Sequence, residues 1–347
     1  MNILVTIIIL LISLPMTTFA KKNIQLIATG GGISSRQISA SDSAFSDGFL
    51  TIDALIQLVP DIRKIANISS DQIMNVKSQN MTSEGLLTIA KTVQKYVDDS
   101  KTDAVIVTHG TDTLEETAYF LNLVINTKKP IIVTGATRSS NHIGSDAHIN
   151  LFESVVVAAS DMATSKGVLI VSNSKIIGAR GMKKISTNGT FSLSTNDTGF
   201  LGYVFNKKPY FYHSSVRKHT YQSEFNINSI SKLPNVSIIY SNTGVSSKVV
   251  QAILDQSAGV VVAGVGNGNI SDKVVSVLSD NKNKAIQVVK SSRTGAGVII
   301  PSTEVNDKKL GFITADNLSP QQARILLMVS LAKTKNKSMI QDYFDTY

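Results

Sequence analysis

Short apolar runs that end in small and polar residues recur along this chain, and they alternate with stretches whose apolar positions return every three or four residues. The runs read as buried strands and the intervening stretches as amphipathic helices. The pattern is sharpest at Asp103-Ala-Val-Ile-Val-Thr108-His-Gly-Thr-Asp112-Thr-Leu-Glu-Glu116. Ala104 to Val107 are apolar without alternation, as in a parallel strand covered on both faces. Gly110 permits a tight turn, and Thr113 and Glu116 have the spacing of a capping box, which predicts a helix through Ala118, Tyr119, Phe120 and Leu123. Thr111 and Asp112 therefore fall between the carboxyl end of a strand and the amino end of a helix, where open α/β sheets bind ligands.

The same alternation runs through the rest. Asn23 to Ala28 is a strand that meets the glycine-rich turn Thr29-Gly-Gly-Gly-Ile-Ser-Ser35; the third glycine of a dinucleotide fingerprint is replaced by Ser35, which argues against such a cofactor. Ser35 to Asp47 lacks periodicity and reads as a mobile surface loop fit to act as a lid. Helices are predicted over Asp53 to Val59, stopped by Pro60, and over Glu84 to Tyr96 behind Ser83 as N-cap, with a strand over Gln72 to Asn80 between them. Pro130 to Gly135 repeats the strand-then-turn pattern, Ala147 to Ala159 makes a helix and Val168 to Val171 a strand. From Gly202 to Ser231 the period lapses, as in a connection between domains. It resumes with a strand over Val236 to Tyr240, a helix from Ser246, a strand over Gly259 to Ala263, a helix from Ser271 and a strand over Ala285 to Val289. The final helix has Ser319 as N-cap, Pro320 at the first helical position, and Ala323, Ile325, Leu326, Met328 and Val329 on its core side. The expectation is an α/β protein with a signal peptide over 1–20, a larger N-terminal domain over 21–212 built on a doubly wound, mainly parallel sheet, a linker over 213–232, and a smaller C-terminal α/β domain over 233–347.

Composition narrows the function classes. With 347 residues, 42% hydrophobic and 17% charged, the chain is globular and long enough for two cores. The net charge of +9 comes from scattered Lys and Arg, and Trp is absent, so no nucleic-acid surface is expected. Zero Cys excludes disulfides, thiolate chemistry and a lipoprotein anchor. The five His residues show no metal-ligand spacing, and neither a metal nor another cofactor is expected. Met1 to Ala20 has an apolar stretch from Ile3 to Leu14, too short to span a bilayer, then Pro15 and a small-residue end, which resembles a secretory signal peptide. A periplasmic or secreted protein without a stable membrane anchor is expected; the other reading is an uncleaved anchor.

The stretch from Thr108 to Phe120, Thr-His-Gly-Thr-Asp-Thr-Leu-Glu-Glu-Thr-Ala-Tyr-Phe, resembles the second signature of the bacterial L-asparaginase and glutaminase family. The likeness continues through Ser78-Gln79, Gly135-Ala136-Thr137-Arg138, Asp146, Arg217-Lys218-His219-Thr220, Gly264-Val-Gly-Asn-Gly-Asn269 and Ser291-Ser292-Arg293, in the family's order. It covers Lys21 to Tyr347, and the secreted type II branch fits best. The resemblance implies the two-domain asparaginase-like fold and, within it, a set of site residues. Thr111, Asp112 and Lys184 match the groups that activate or position the attack on a side-chain amide, Asp112 also receiving the substrate's α-ammonium. Ser78 and Gln79 match the α-carboxylate binders, and Gly31, Gly32 and Ala136 fall around the substrate. Asn269 and Glu304 match residues reaching across from a neighbouring subunit, which implies a homotetramer built of dimers.

One stretch departs from the family. Its first signature reads Ala-Thr-Gly-Gly-Thr-Ile, with the last Thr as nucleophile, whereas this chain reads Ala28-Thr29-Gly30-Gly31-Gly32-Ile33. Gly32 has no side chain to attack with, and Phe45 matches the tyrosine that assists the nucleophile. Thr111 with Lys184 is one replacement, Ser34 or Ser35 another, and Thr29 the poorest because it should point along the strand. The function expected from the resemblance is hydrolysis of L-asparagine, with L-glutamine a further substrate, to the acid and ammonia; the alternative is a periplasmic asparagine- or aspartate-binding protein that has lost the chemistry.

Overall fold

A computed structural model describes residues 20–37, 45–280 and 286–347, the side chains of 45–47 excepted. The expected leader, save Ala20, and the centre of the expected lid lie outside the described residues. In chain order β1 (Asn23–Gly30) is followed by the antiparallel pair β2 (Ser35–Gln37) and β3 (Phe45–Phe49), then by β4 (Asn67–Val76), β5 (Ala104–Thr108), β6 (Ile131–Thr134) and β7 (Val168–Ser172). Strands β4, β1, β5, β6 and β7 lie side by side in that order and pair in parallel. The chain moves from β1 out to β4 and returns to β5 on the other flank of β1. Winding direction therefore reverses at the β1/β5 boundary, and the crevice outside their carboxyl ends is the ligand position in such sheets.

The next strands are β8 (Lys175–Gly178), β9 (Met182–Lys184), β10 (Leu193–Thr195), β11 (Gly202–Phe205) and β12 (Lys208–Phe211). β8, β11 and β12 extend the sheet antiparallel beyond β7, giving eight strands, while β9 and β10 form their own two-stranded pair. Among the described residues, five α-helices accompany this sheet: α1 (Ile52–Gln57), α2 (Ile62–Ile65), α3 (Ser83–Asp98), α4 (Leu114–Val124) and α5 (Ala147–Ala158). Ile27, Val105, Val107 and Val133 share a core with α3 and α4, whereas Leu26, Ala28, Ile106 and Ile132 share another with α1, α2 and α5. Both faces are covered, which is why these strands are apolar without alternation.

The C-terminal domain is a four-stranded parallel sheet, β13 (Val236–Tyr240), β14 (Gly259–Gly264), β15 (Gln287–Ser292) and β16 (Ile313–Thr314), with helices α6 (Ser247–Leu254), α7 (Asp272–Asp280), α8 (Asp307–Leu310), α9 (Pro320–Lys333) and α10 (Lys337–Thr346). Ser319 caps α9 by accepting from Gln322 N, with Pro320 at the first helical position, as the sequence predicts. The one-sided burial expected for α9 does not hold. Ile325 to Val329 are buried without a break, because the helix lies between α4 of one domain and the β13/β14 layer of the other.

Other differences have local causes. Thr82, not Ser83, caps α3 by accepting from Gly85 N at 3.1 Å. The capping box at Thr113 does not close: the Thr113 hydroxyl donates to Ser78 O at 2.8 Å, and Glu116 pairs with Arg324 of α9 at 3.2 Å. The strand expected over Gln72 to Asn80 starts at Asn67 and gives way at Ser78–Asn80 to a 3-10 turn. The aperiodic stretch after Gly202 begins with the β11–β12 hairpin, whose exposed edge faces water and needs no apolar alternation. α9 is not the last helix; α10 was hidden by its short apolar set, Ile340, Tyr343 and Phe344.

Candidate active site

At the β1 terminus the backbone turns through Gly31, whose φ of +82° is open to glycine at little cost, and a Cβ there would strike the Gly110 backbone. The two strand ends thus approach to backbone contact, and a cavity of about 620 Å³ opens beside them. Its walls include Gly31, Gly32, Ser78, Gln79, Thr111, Asp112, Ala136 and Lys184, so eight residues singled out in the sequence converge on one space. Lys184, at the end of β9, donates to Thr111 Oγ1 at 3.0 Å and to Asp112 Oδ1 at 2.5 Å. Ser78 Oγ accepts from Asp112 N at 3.3 Å, which ties the end of β4 to the turn after β5.

The lysine is braced from the second domain. Arg180, four residues earlier, pairs with Asp316 at 2.8 Å and donates to the Tyr347 carbonyl, while Gln322 of α9 donates to the Ala179 and Met182 carbonyls at 2.9 and 3.3 Å. Arg217 joins the same Asp316 at 2.6 Å. On the other wall, Asp146 accepts from the backbone N–H groups of Thr137 and Arg138 at 3.0 and 2.9 Å, fixing the turn that carries Ala136.

Gly32 lines the cavity without contributing a side chain, and the neighbouring backbone has closed on it: a Cβ built there would lie 2.6 Å from the Ala136 carbonyl oxygen. Of the hydroxyls weighed as replacements besides Thr111, Thr29 donates to Thr108 O at 2.9 Å, Ser34 to Gly31 O at 3.1 Å and Ser35 to Gly32 O at 2.8 Å. Ser35 lines the cavity, whereas Thr29 does not, its hydroxyl being turned to the neighbouring strand β5. Phe45 lies in β3, its side chain outside the described part. Asn269 and Glu304 do not line the cavity of their own chain. Asn269 forms a bridge with Val265, and Glu304 is exposed.

Two buried titratable groups frame the turn. His109 is wholly buried, and burial holds its ring below the ordinary pKa; neutral, it donates from Nδ1 to Gly110 O at 2.8 Å and accepts at Nε2 from the Thr117 hydroxyl at 3.0 Å. Glu115 has no signal in the sequence that marks it as part of the site. Burial, with Glu116 beside it, pushes its carboxyl up to about 7 against the opposing Lys184 backbone N–H, and its Oε2 has no partner. Lys77, Gln37, His142, Thr187 and Asn188 also line the cavity. They come from loops and strand ends with no periodic signal, and no motif spacing could have found them.

Fold and site together define a two-domain α/β protein with a polar small-molecule site at the carboxyl ends of a parallel sheet. The family model described as asparaginase, N-terminal, matches residues 23–217, and that of the glutaminase/asparaginase C-terminal domain matches 235–344. The chain belongs to the asparaginase family. It is 39% identical to a probable periplasmic L-asparaginase of Haemophilus influenzae, over 94% of this chain and 93% of that protein. It is 38% identical to a glutaminase-asparaginase of Pseudomonas fluorescens, over 94% and 90%. The crystal structure of a probable cytoplasmic L-asparaginase from Campylobacter jejuni superposes with a TM-score of 0.88 at 40% identity, covering 94% of this chain and all of that one.

Proposed function

We propose that the protein is an amidohydrolase that converts L-asparagine and water to L-aspartate and ammonia, with L-glutamine as a further substrate. The observation that carries this reading is the contact of one lysine, Lys184, with both Thr111 Oγ1 and Asp112 Oδ1 inside the cavity. Hydrolysis needs a nucleophile, a proton acceptor and groups that grip the amino-acid end. Thr111 supplies the hydroxyl, and Lys184, after its ammonium has given a proton to solvent, accepts the hydroxyl's proton. Asp112 takes the substrate's α-ammonium, which competes with Lys184 for the same carboxylate oxygen and so releases the amine toward Thr111. Ser78 and Gln79 hold the α-carboxylate, while Gly31, Gly32 and Ala136 bound the space for the side-chain amide.

In this reading Gly32 stands where type II relatives carry a nucleophilic threonine, and the chemistry has moved to Thr111. The chain comprises domains 21–212 and 233–347 joined by 213–232, is exported by a leader over 1–20, and acts as a homotetramer in which Asn269 and Glu304 complete a neighbour's site. The relatives' names are those of enzymes and do not favour the alternative of an amino-acid-binding protein without chemistry. Ammonia release from L-asparagine, measured beside calorimetric binding of L-aspartate, tests the assignment. Turnover by the wild type that is abolished by Thr111→Val or Lys184→Met supports it. Binding without ammonia release, with turnover gained in Gly32→Thr, overturns it.

A further inference from the structure

Four charged side chains line the cavity among the described residues: Lys77, Asp112, Arg138 and Lys184. Lys184 and Asp112 neutralise each other. Neither Lys77 nor Arg138 forms an ion pair with any described carboxylate. Bound L-asparagine is a zwitterion of no net charge and leaves this excess of positive charge uncompensated. Lys77 adjoins Ser78 at the end proposed to hold the α-carboxylate. Arg138 lines the cavity two residues beyond Ala136, whose carbonyl faces Gly32 where the amide would sit.

The Arg138 wall is built rather than loose. The nearby carboxylate, Asp146, is spent on the backbone N–H groups of Thr137 and Arg138 and on Asn150 Nδ2, so it does not turn to the guanidinium. Among the described residues that group has one hydrogen bond, from Nη1 to the Gly144 carbonyl at 3.0 Å. The turn is fastened across to β2 by Asn141, which accepts from Gln37 N at 2.8 Å and donates to Gln37 O at 3.0 Å. His142, on the same turn and in the cavity wall, has a buried Nδ1 without a partner.

Resting on the amidohydrolase reading above, we propose that Arg138 and His142 form a subsite for an anionic group on the nitrogen side of the scissile amide. The substrate class it fits is a β-aspartyl amide whose leaving amine carries a carboxylate, such as a β-aspartyl isopeptide. Hydrolysis breaks the amide C–N bond, forms a C–O bond from water and delivers a water proton to the departing amine, releasing L-aspartate and an amino acid. A guanidinium–carboxylate contact in a partly desolvated wall distinguishes this amine from ammonia or an alkylamine.

The test is calorimetric titration of the full chain with β-aspartylglycine and with L-aspartic acid β-methylamide, glycine and methylamine release being followed in the same samples. The isopeptide is expected to bind about tenfold more tightly, the scale of one charge-assisted contact. Arg138→Gln brings the two ligands to parity, and Arg138→Lys keeps part of the preference. Parity in the wild type, or a preference that survives Arg138→Gln, overturns the subsite. L-Aspartate titrated alone separates the two levels: if it binds while the preference is absent, only the subsite is wrong, and if it fails to bind, the amino-acid site is wrong and the subsite falls with it.

Discussion

Two lysine–aspartate pairs sit near the strand ends of the two domains, and they have opposite surroundings. In the C-terminal domain Lys290 of β15 donates to both oxygens of Asp307 at 2.9 Å, with the two side chains 1% and 3% exposed. In the N-terminal domain Lys184 meets Asp112 with the side chains 20% and 52% exposed, and shares its amine with a threonine hydroxyl. The first pair is bidentate and dry, and Asp307 also accepts from Ser302 N at 2.7 Å, so its bonding capacity is used within the protein. The second opens on a cavity and has capacity left for a ligand. The sheet ends differ in the same sense: beyond β14 the backbone closes on itself through the Val265–Asn269 bridge, whereas the turns beyond β1 and β5 have the cavity beside them. A charge pair is a structural clamp when its partners saturate each other and a site when they do not.

The sharpest way to break this contrast is to disable each pair. Thr111→Val is expected to lower ammonia release by on the order of 10⁴ to 10⁶ with the fold intact, read by steady-state kinetics beside circular dichroism. Lys290→Met leaves Asp307 as an uncompensated buried charge and should cost about 3–5 kcal/mol in urea unfolding; a loss below about 1 kcal/mol would show that the clamp is no firmer than a surface pair. Next comes Glu115, which is buried beside the Lys184 backbone. Its folded pKa of about 7 stands above the ordinary glutamate value of 4.5, so its ionisation weakens the fold: the contribution is fully present below about pH 4.5 and is lost as pH rises through about 7. The loss is about 3 kcal/mol over that interval, and Glu115→Gln should flatten this part of the stability profile, as followed by urea unfolding at stepped pH. The smallest effect belongs to Gly32→Ala: the added Cβ meets the Ala136 carbonyl at 2.6 Å, and calorimetric melting should show about 1–3 kcal/mol of destabilisation.

Much of the fold was legible because the parallel strands have to bury both faces, and runs such as Ala104 to Val107 announce that directly. The edge hairpin β11–β12 was not, since a solvated edge imposes no apolar period, and neither was the sandwiching of α9, since one helix's pattern does not say how many layers it separates. In the site, Thr111 and Asp112 were legible as residues between a strand end and a helix start, whereas Ser78, Gln79 and Lys184 were named only through resemblance to a family, Lys184 because it comes from a short hairpin with no period of its own.

The sequence alone determined the alternation of strands and helices, the strand-to-turn transition at Thr108 to Asp112 and the missing side chain at Gly32, because these depend on neighbours in the chain or on a single residue's chemistry. Only the tertiary structure decided that Lys184 reaches Thr111 and Asp112, that Asp307 saturates Lys290 while Arg138 remains unmatched, and that the Ala136 carbonyl closes on Gly32. Each joins residues far apart in the chain, or pairs charges whose partners burial selects. Distances and dielectric surroundings of that kind exist only once the chain is packed.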